Sequence, residues 1–286
     1  MRGHRLEFEI TIVQPDNYIH SLAFVEVMES LAYGLDALGH GVRLTKNHVA
    51  ATCPTIILGT NLLQPEHIAA LPSQAIIYNL EQIIPGSAWA TPAWLKSVEG
   101  HLIWEYSEKN MSYWKDRGAR AIHVPIGYAP NLTRIERTVD RDIDVVFYGS
   151  MNNRRSRILD DLKSRNFRCA PLHGVYGAQR DRIIARSKLA INIHYYVPNI
   201  FEVVRGSYLV ANSVPLLSER NADTYVPREW DSLAYWAPYD HLVAVCEELL
   251  NGGINALNRK AIERFDSFRQ ASMADLLTRV IAEMQP

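Results

Sequence analysis

The stretch Asn199–Glu219, "NIFEVVRGSYLVANSVPLLSE", carries Glu202 and Arg205 three residues apart in an otherwise apolar run. On a helix that spacing puts them on one face, where they can pair with each other. Near a helix start at a strand end, the same Glu could accept two ribose hydroxyls while the Arg reaches a phosphate or a base. Glu219 closes the stretch at the next strand end and is a further candidate. Just upstream, "NIHYYVP" offers His194, Tyr195 and Tyr196 for stacking on a base or sugar, although aromatics at a strand end more often serve packing.

A second cluster is "FYGSMNNRRSR". Gly149 lets a phosphate approach the backbone, the free N–H groups of the following helix favour an anion, and Arg154 or Arg155 could add charge-assisted hydrogen bonds. Cations at a helix N-terminus oppose the helix dipole, and an anion would relieve that. The alternative is a solvated basic turn, since the segment is neither a G-x-G-x-x-G fingerprint nor a phosphate-binding P-loop.

Two loops have groups for proton transfer. In "VQPDNYIHS" His20 could accept a proton from a hydroxyl, because imidazole titrates near neutrality, and Asp16 could orient it. In the alternative, Asp16 or Asn17 caps a helix and His20 is a surface residue. In "YNLEQIIP" the polar run Asn79, Glu81 and Gln82 follows an apolar strand; Glu81 competes with His20 as base, or begins a solvated helix with Gln82. Asp140, Asp142 and Asp144 superficially resemble a metal-binding group, but they precede a strand at its amino end, so no metal site is expected.

The elements that must position these residues form an α/β pattern. "LEFEITIV" reads as a strand feeding a helix with apolar positions at Leu22, Val25, Met28, Leu31, Leu35 and Leu38, ended by Gly39 and Gly41. "VRL", "TIILG", "QAIIYNL", "HLIWEYS" and "RAIHVPIG" follow as short strands, with a helical piece at "QPEHIAALP". Short apolar strands alternating with helices indicate a parallel sheet covered on both faces. The Pro-, Gly- and charge-containing segment 129–141 reads as a linker between a domain at 1–128 and a second at 142–269. In the second, "IDVVFYGS", "FRCAPL" and "KLAINIHY" are strands, "NRRSRILDDLKSR" and "GAQRDRIIARS" helices, and three helices close the chain. Two such sheets are expected to face a cleft at the carboxyl ends of their strands.

Composition narrows the partners. In 286 residues with 48% hydrophobic content and a formal net charge of -1, nothing marks a nucleic-acid binder. Cys53, Cys169 and Cys246 lack any ligand or disulfide spacing, which suggests reduced thiols and a cytoplasmic setting. No apolar run is long enough to span a bilayer, and Arg2, Arg5, Glu7 and Glu9 occupy the region where a signal peptide needs apolar residues; peripheral membrane contact stays open, as does the oligomeric state.

Several segments resemble the GT-B glycosyltransferase superfamily, nearest to its CgeB-type (spore-protein-like) bacterial group. "ALGHGV" resembles the ending of that fold's first helix, "HVPIGYAP" its hinge, "VVFYGS" with Arg154 and Arg155 the start of its donor domain, and "VANSVPLLSE" its "A-x-G-x-P-V" turn. The resemblance implies two Rossmann-like domains, a last helix (270–286) that can cross back to complete the first, and transfer of a sugar from a nucleotide diphosphate sugar to a hydroxyl of a glycan or other acceptor, without a metal or other cofactor. His20 would be the base, with Glu81 next and Asp16 supporting. Gly149, Arg154, Arg155, His194, Tyr195, Glu202, Arg205 and Glu219 would hold the donor. Two departures stand out: Tyr208 occupies the position of the donor-binding Glu of retaining families, and Ser213 stands where Gly is usual. The rival readings are a phosphorylase or epimerase on the same fold and a non-catalytic sugar-nucleotide-binding protein.

Overall fold

The computed structural model describes residues 5–197 and 200–284; Arg2, Pro198 and Asn199 lie outside them. The chain divides into two compact units, Met1–Asn131 with Ala271–Pro286, and Leu132–Gln270.

In the first unit the strands β1 (Glu7–Ile12), β2 (Gly41–Lys46), β3 (Thr55–Leu58), β4 (Ala75–Asn79), β5 (Leu102–Glu105) and β6 (Ala121–His123) form one sheet in the order β2-β1-β3-β4-β5-β6. Every pairing is parallel. β3 and β4 are buried along their whole length, as continuous apolar runs under helices on both faces should be. The helices are α1 (Val25–Ala37), α2 (Pro65–Ala69), α3 (Pro92–Val98) and α4 (Glu108–Asp116). Sequence periodicity missed α3 and α4, although their starts are marked: Thr91 Oγ1 accepts the Trp94 N–H ahead of Pro92, and Ser107 precedes α4.

The first helix differs from its expected form. Ile19–Phe24 is a 3-10 turn that leaves Leu22 exposed, because the Ser21 hydroxyl is anchored on the Val13 carbonyl at 2.7 Å. Val27, Leu31 and Leu35 carry the buried face rather than Val25 and Met28. Gly34 explains that choice: a Cβ there would lie 2.7 Å from Leu277 of the last helix, so the glycine admits it closely.

The second unit holds β7 (Ile143–Tyr148), β8 (Cys169–Leu172), β9 (Ser187–Asn192), β10 (Leu216–Glu219) and β11 (Tyr235–Ala237), in the order β11-β10-β9-β7-β8 and again all parallel. Its helices are α5 (Asn153–Ser164), α6 (Gly177–Ala185), α7 (Val203–Ala211), α8 (Leu242–Asn251) and α9 (Ile254–Phe268); α10 (Met273–Met284) belongs to the first unit, where it packs on α1. Phe147, Leu189, Ile191 and Leu217 meet Ile158 and Leu162 of α5 and Leu242 and Cys246 of α8 in one core. β9 stops at Asn192 instead of running on to Tyr195, since the His194 N–H donates to the Glu219 side-chain carboxylate rather than to a backbone carbonyl of β10. Ser213, in the turn between α7 and β10, has φ 51°, the left-handed conformation for which glycine is favoured.

Strand order locates the crevices. The chain reverses direction across the sheet between β1 and β3 in the first unit and between β7 and β9 in the second, and ligands bind outside the carboxyl ends of strands at such points.

Candidate functional site

In the second unit the switch point lies between the loops after β7 and β9. Gly149 follows β7 with φ 140°, and a Cβ there would lie 2.6 Å from Arg205 Nη2 and 3.6 Å from Arg155 Nη1. Two guanidinium groups therefore close on a turn that only glycine fits. Arg155 is buried: its Nε donates to Ile193 O at 2.8 Å and its Nη1 to Ser150 O at 2.7 Å, and Nη2 stands 3.6 Å from Glu202 Oε1. Burial and then the neighbouring Arg205 cation lower its pKa to about 10. Arg205 Nη1 donates to Asn192 Oδ1, while its buried Nε finds no acceptor among the described residues.

Glu202 occupies the N-cap position of α7 rather than a place within the helix, so it meets Arg205 through Asn192 and not as a simple pair along one helix face. Its Oε2 accepts Asn192 Nδ2 at 2.8 Å and lies 2.8 Å from His194 Nδ1. Burial pushes its pKa up, but His194, Arg205 and Arg155 outweigh this and hold it at about 2. Glu202 is thus a carboxylate among cations. Tyr195, 38% exposed, stands beside Arg155 with its ring centre 5.1 Å from the guanidinium carbon.

Gly149, Arg155, His194, Tyr195, Glu202 and Arg205 come together in this way. Arg154 and Glu219 have a different arrangement. Arg154 grips the fully buried Glu219 carboxylate with both terminal nitrogens, one at 2.5 Å, and lies over the Tyr239 ring at 3.8 Å. Glu219 also accepts from His194 N at 2.9 Å and Asn221 Nδ2 at 2.6 Å. This ion pair holds the loop after β9, since Arg154 Nη1 also donates to His194 O at 3.1 Å. Asn192 went unmarked in the sequence, though a polar residue ending the apolar run "LAIN" was a visible signal. Tyr208 donates its hydroxyl to Asp181 Oδ2 at 2.7 Å and accepts from Arg134 Nε at 3.1 Å.

In the first unit the loops after β1 and β4 converge on Tyr18. Its ring meets His20 edge-on with centroids 5.2 Å apart, and its pKa is raised by burial and by the charge of Glu81. Glu81 lies in an irregular, half-buried segment, not a solvated helix; burial pushes its carboxyl up to about 7, and Oε1 accepts Asn61 Nδ2 at 3.3 Å. Asp16 is exposed, and no hydrogen bond joins it to His20 among the described residues. Neither Asp16 nor Asn17 caps the following turn, whose N-cap is Tyr18 without a side-chain bond; Asn17 takes a left-handed conformation at φ 60°. The acidic run pairs with basic residues, Asp142 with Arg186 and Asp144 with Arg168 and Lys188. Among the described residues no cluster of three or more His, Cys, Asp or Glu could hold a metal, and no helix is long and apolar enough to cross a membrane.

This architecture is the GT-B fold, with two parallel-sheet Rossmann-like units. Among solved structures it resembles HepE from Anabaena in complex with UDP and glucose (TM-score 0.59, 10% identity, covering 96% of this chain and 99% of that one). It also resembles a sucrose-phosphate synthase from Thermosynechococcus elongatus (TM-score 0.57, 12% identity, 96% and 98%) and AviGT4, a glycosyltransferase of avilamycin A biosynthesis (TM-score 0.52, 14%, 97% and 96%). No family model matches the chain. In sequence it is similar to two uncharacterized proteins of Acanthamoeba polyphaga mimivirus, L140 (27% identical over 205 residues, 68% of this chain and 64% of L140) and L138 (31% over 165 residues, 55% and 18%). The chain thus spans just under two thirds of one relative and less than a fifth of the other.

Proposed function

We propose that this chain is a glycosyltransferase that moves a sugar from a nucleotide diphosphate sugar to a hydroxyl acceptor. The observation that carries the reading is the closure of Arg155 and Arg205 on Gly149 at the switch point of the second unit, beside the start of α5. A donor diphosphate supplies the acceptor atoms that two crowded guanidinium groups and a helix N-terminus call for, and as leaving group it needs positive charge in the transition state. Glu202, ionised and next to Asn192, can accept hydroxyls of the ribose, and Tyr195 offers a ring face to the base or sugar. The GT-B fold and the UDP bound by HepE agree with this reading and make a uridine diphosphate sugar the first donor to try.

In the first unit we assign acceptance of the acceptor hydroxyl's proton to Glu81, with His20 as second candidate. Support comes from its carboxyl, which burial brings to about 7, where a base combines ionisation with useful basicity. The reaction is written without a metal, the guanidinium groups taking that role. Support for the CgeB-type group and for bacterial glycan synthesis comes from the sequence motifs, and support for a cytoplasmic setting from the cysteines without disulfide spacing; the sequence relatives are mimiviral.

A thermal-shift series of nucleoside diphosphates, followed by sugar-release assays with EDTA present, tests the reading. One diphosphate should raise the melting temperature by mass action, and its sugar conjugate should be turned over. Binding of none of them overturns the proposal; binding without hydrolysis or transfer to any acceptor identifies a sensor instead, and sugar phosphate released on adding phosphate identifies a phosphorylase.

A further inference from the structure

Glu105 ends β5, fully buried, and its carboxylate is met by four N–H donors: Asn79 Nδ2 at 2.6 Å, Trp114 Nε1 at 2.8 Å, and Ser107 N and Asn110 Nδ2 at 3.0 Å each. All four partners are donors, so the site suits the ionised form, which only accepts. Burial pushes the carboxyl up to about 7 against these four bonds. The fold retains a buried carboxylate here at a cost in desolvation, with no cation among its hydrogen-bond partners in the described residues.

Its two asparagine partners have a second task. The Asn79 amide also donates to Glu81 O at 3.1 Å and accepts Glu81 N at 2.9 Å. The Asn110 amide also donates to Glu81 O at 3.0 Å and accepts Ile83 N at 3.2 Å. Each amide therefore divides its two N–H groups between the Glu105 carboxylate and the Glu81 carbonyl, while its oxygen takes a loop N–H. An asparagine amide can be turned about its axis with little change of shape, and a neighbouring carboxylate forbids the turned form because it would face oxygen to oxygen. Glu105 sets both amides the right way round, and the amides fix the backbone from residue 81 to 83.

We propose that Glu105 is a positioning residue for Glu81, acting through the Asn79 and Asn110 amides to hold the segment that presents the Glu81 carboxyl. The inference rests on the proton-acceptor role given to Glu81 above. Loosening the segment admits water to that carboxyl and lets it leave its place beside Tyr18 and Asn61.

The test is a carboxyl-13C NMR titration of glutamate-labelled protein, with Glu81→Gln identifying the Glu81 resonance, on wild type, Glu105→Gln and Asn110→Ala. In wild type Glu81 should titrate near 7. In both variants its midpoint should fall by at least one pH unit toward ordinary carboxylates, and donor turnover should lose at least tenfold in kcat with less than a twofold change in KM for the nucleotide sugar. Asn110→Ala keeps the experiment decisive if Glu105→Gln fails to fold, because it cuts the same link and leaves the carboxylate three donors. Folded variants whose Glu81 midpoint is unchanged overturn the inference. The titration decides this even if wild type binds no nucleotide, an outcome that would sink the proposed function separately.

Discussion

Gly149 and Arg205 approach so closely that a single added methyl group at residue 149 would sit 2.6 Å from Arg205 Nη2. The glycine also holds φ 140°, which side-chain-bearing residues rarely adopt. Gly149→Ala should therefore displace the Arg205 guanidinium, and nucleotide diphosphate affinity should fall about tenfold or more by isothermal titration calorimetry, given about 1.5–3 kcal/mol for a charge-assisted hydrogen bond. Unchanged affinity in a folded variant removes the phosphate role from this turn.

Arg205→Ala and Glu202→Ala should each weaken nucleotide binding, the first by about tenfold to a hundredfold on the same scale, with circular dichroism like that of wild type. The two should differ in salt dependence: loss of Arg205 removes a direct attraction to the diphosphate, and loss of Glu202 removes a hydroxyl acceptor. If both variants lose fold while the surviving folded fraction binds normally, these residues are structural.

Glu219→Ala should act through stability. It leaves the Arg154 guanidinium, which is only partly exposed, without its carboxylate, and breaking a buried ion pair costs about 3–5 kcal/mol. Urea unfolding should show a loss of that order. A variant as stable as wild type would show that the clamp contributes nothing and would return both residues to the list of direct ligand contacts.

Two of the perturbed glutamates, Glu202 and Glu81, have opposite pH signatures. Glu202 is lowered from 4.5 to about 2, so its stabilisation is complete above pH 4.5 and disappears as pH falls toward 2. Glu81 is raised from 4.5 to about 7, so folding favours its protonated form and its contribution falls as pH climbs across that interval. The rate needs the ionised form and should rise through pH 7. Glu81→Gln should abolish that rise in a pH–rate profile, and its survival in the variant would transfer the proton-acceptor role to His20.

The alternation of short apolar runs with helical segments was enough to identify the α/β class, because a parallel strand buried on both faces must be apolar throughout, as β3 and β4 are. The glycine and arginines after "VVFY" were also legible, since a strand followed by Gly and a helix start is a local pattern. Local pattern could not separate Arg154 from Arg155. They are neighbours in sequence, yet one points to a buried Glu219 contributed by β10 and the other to Gly149 and Glu202, and only the order β10-β9-β7 decides which. Glu105 was invisible for the same reason: its four donors come from β4, α4 and the turn joining β5 to α4, and a carboxylate in the run "LIWE" acquires meaning only when parallel pairing sets Asn79 opposite it. Sequence determined which residue types stand at strand ends; tertiary structure decided which meet, because hydrogen bonds and charge pairs depend on distances of about 3 Å that residue spacing along the chain does not encode.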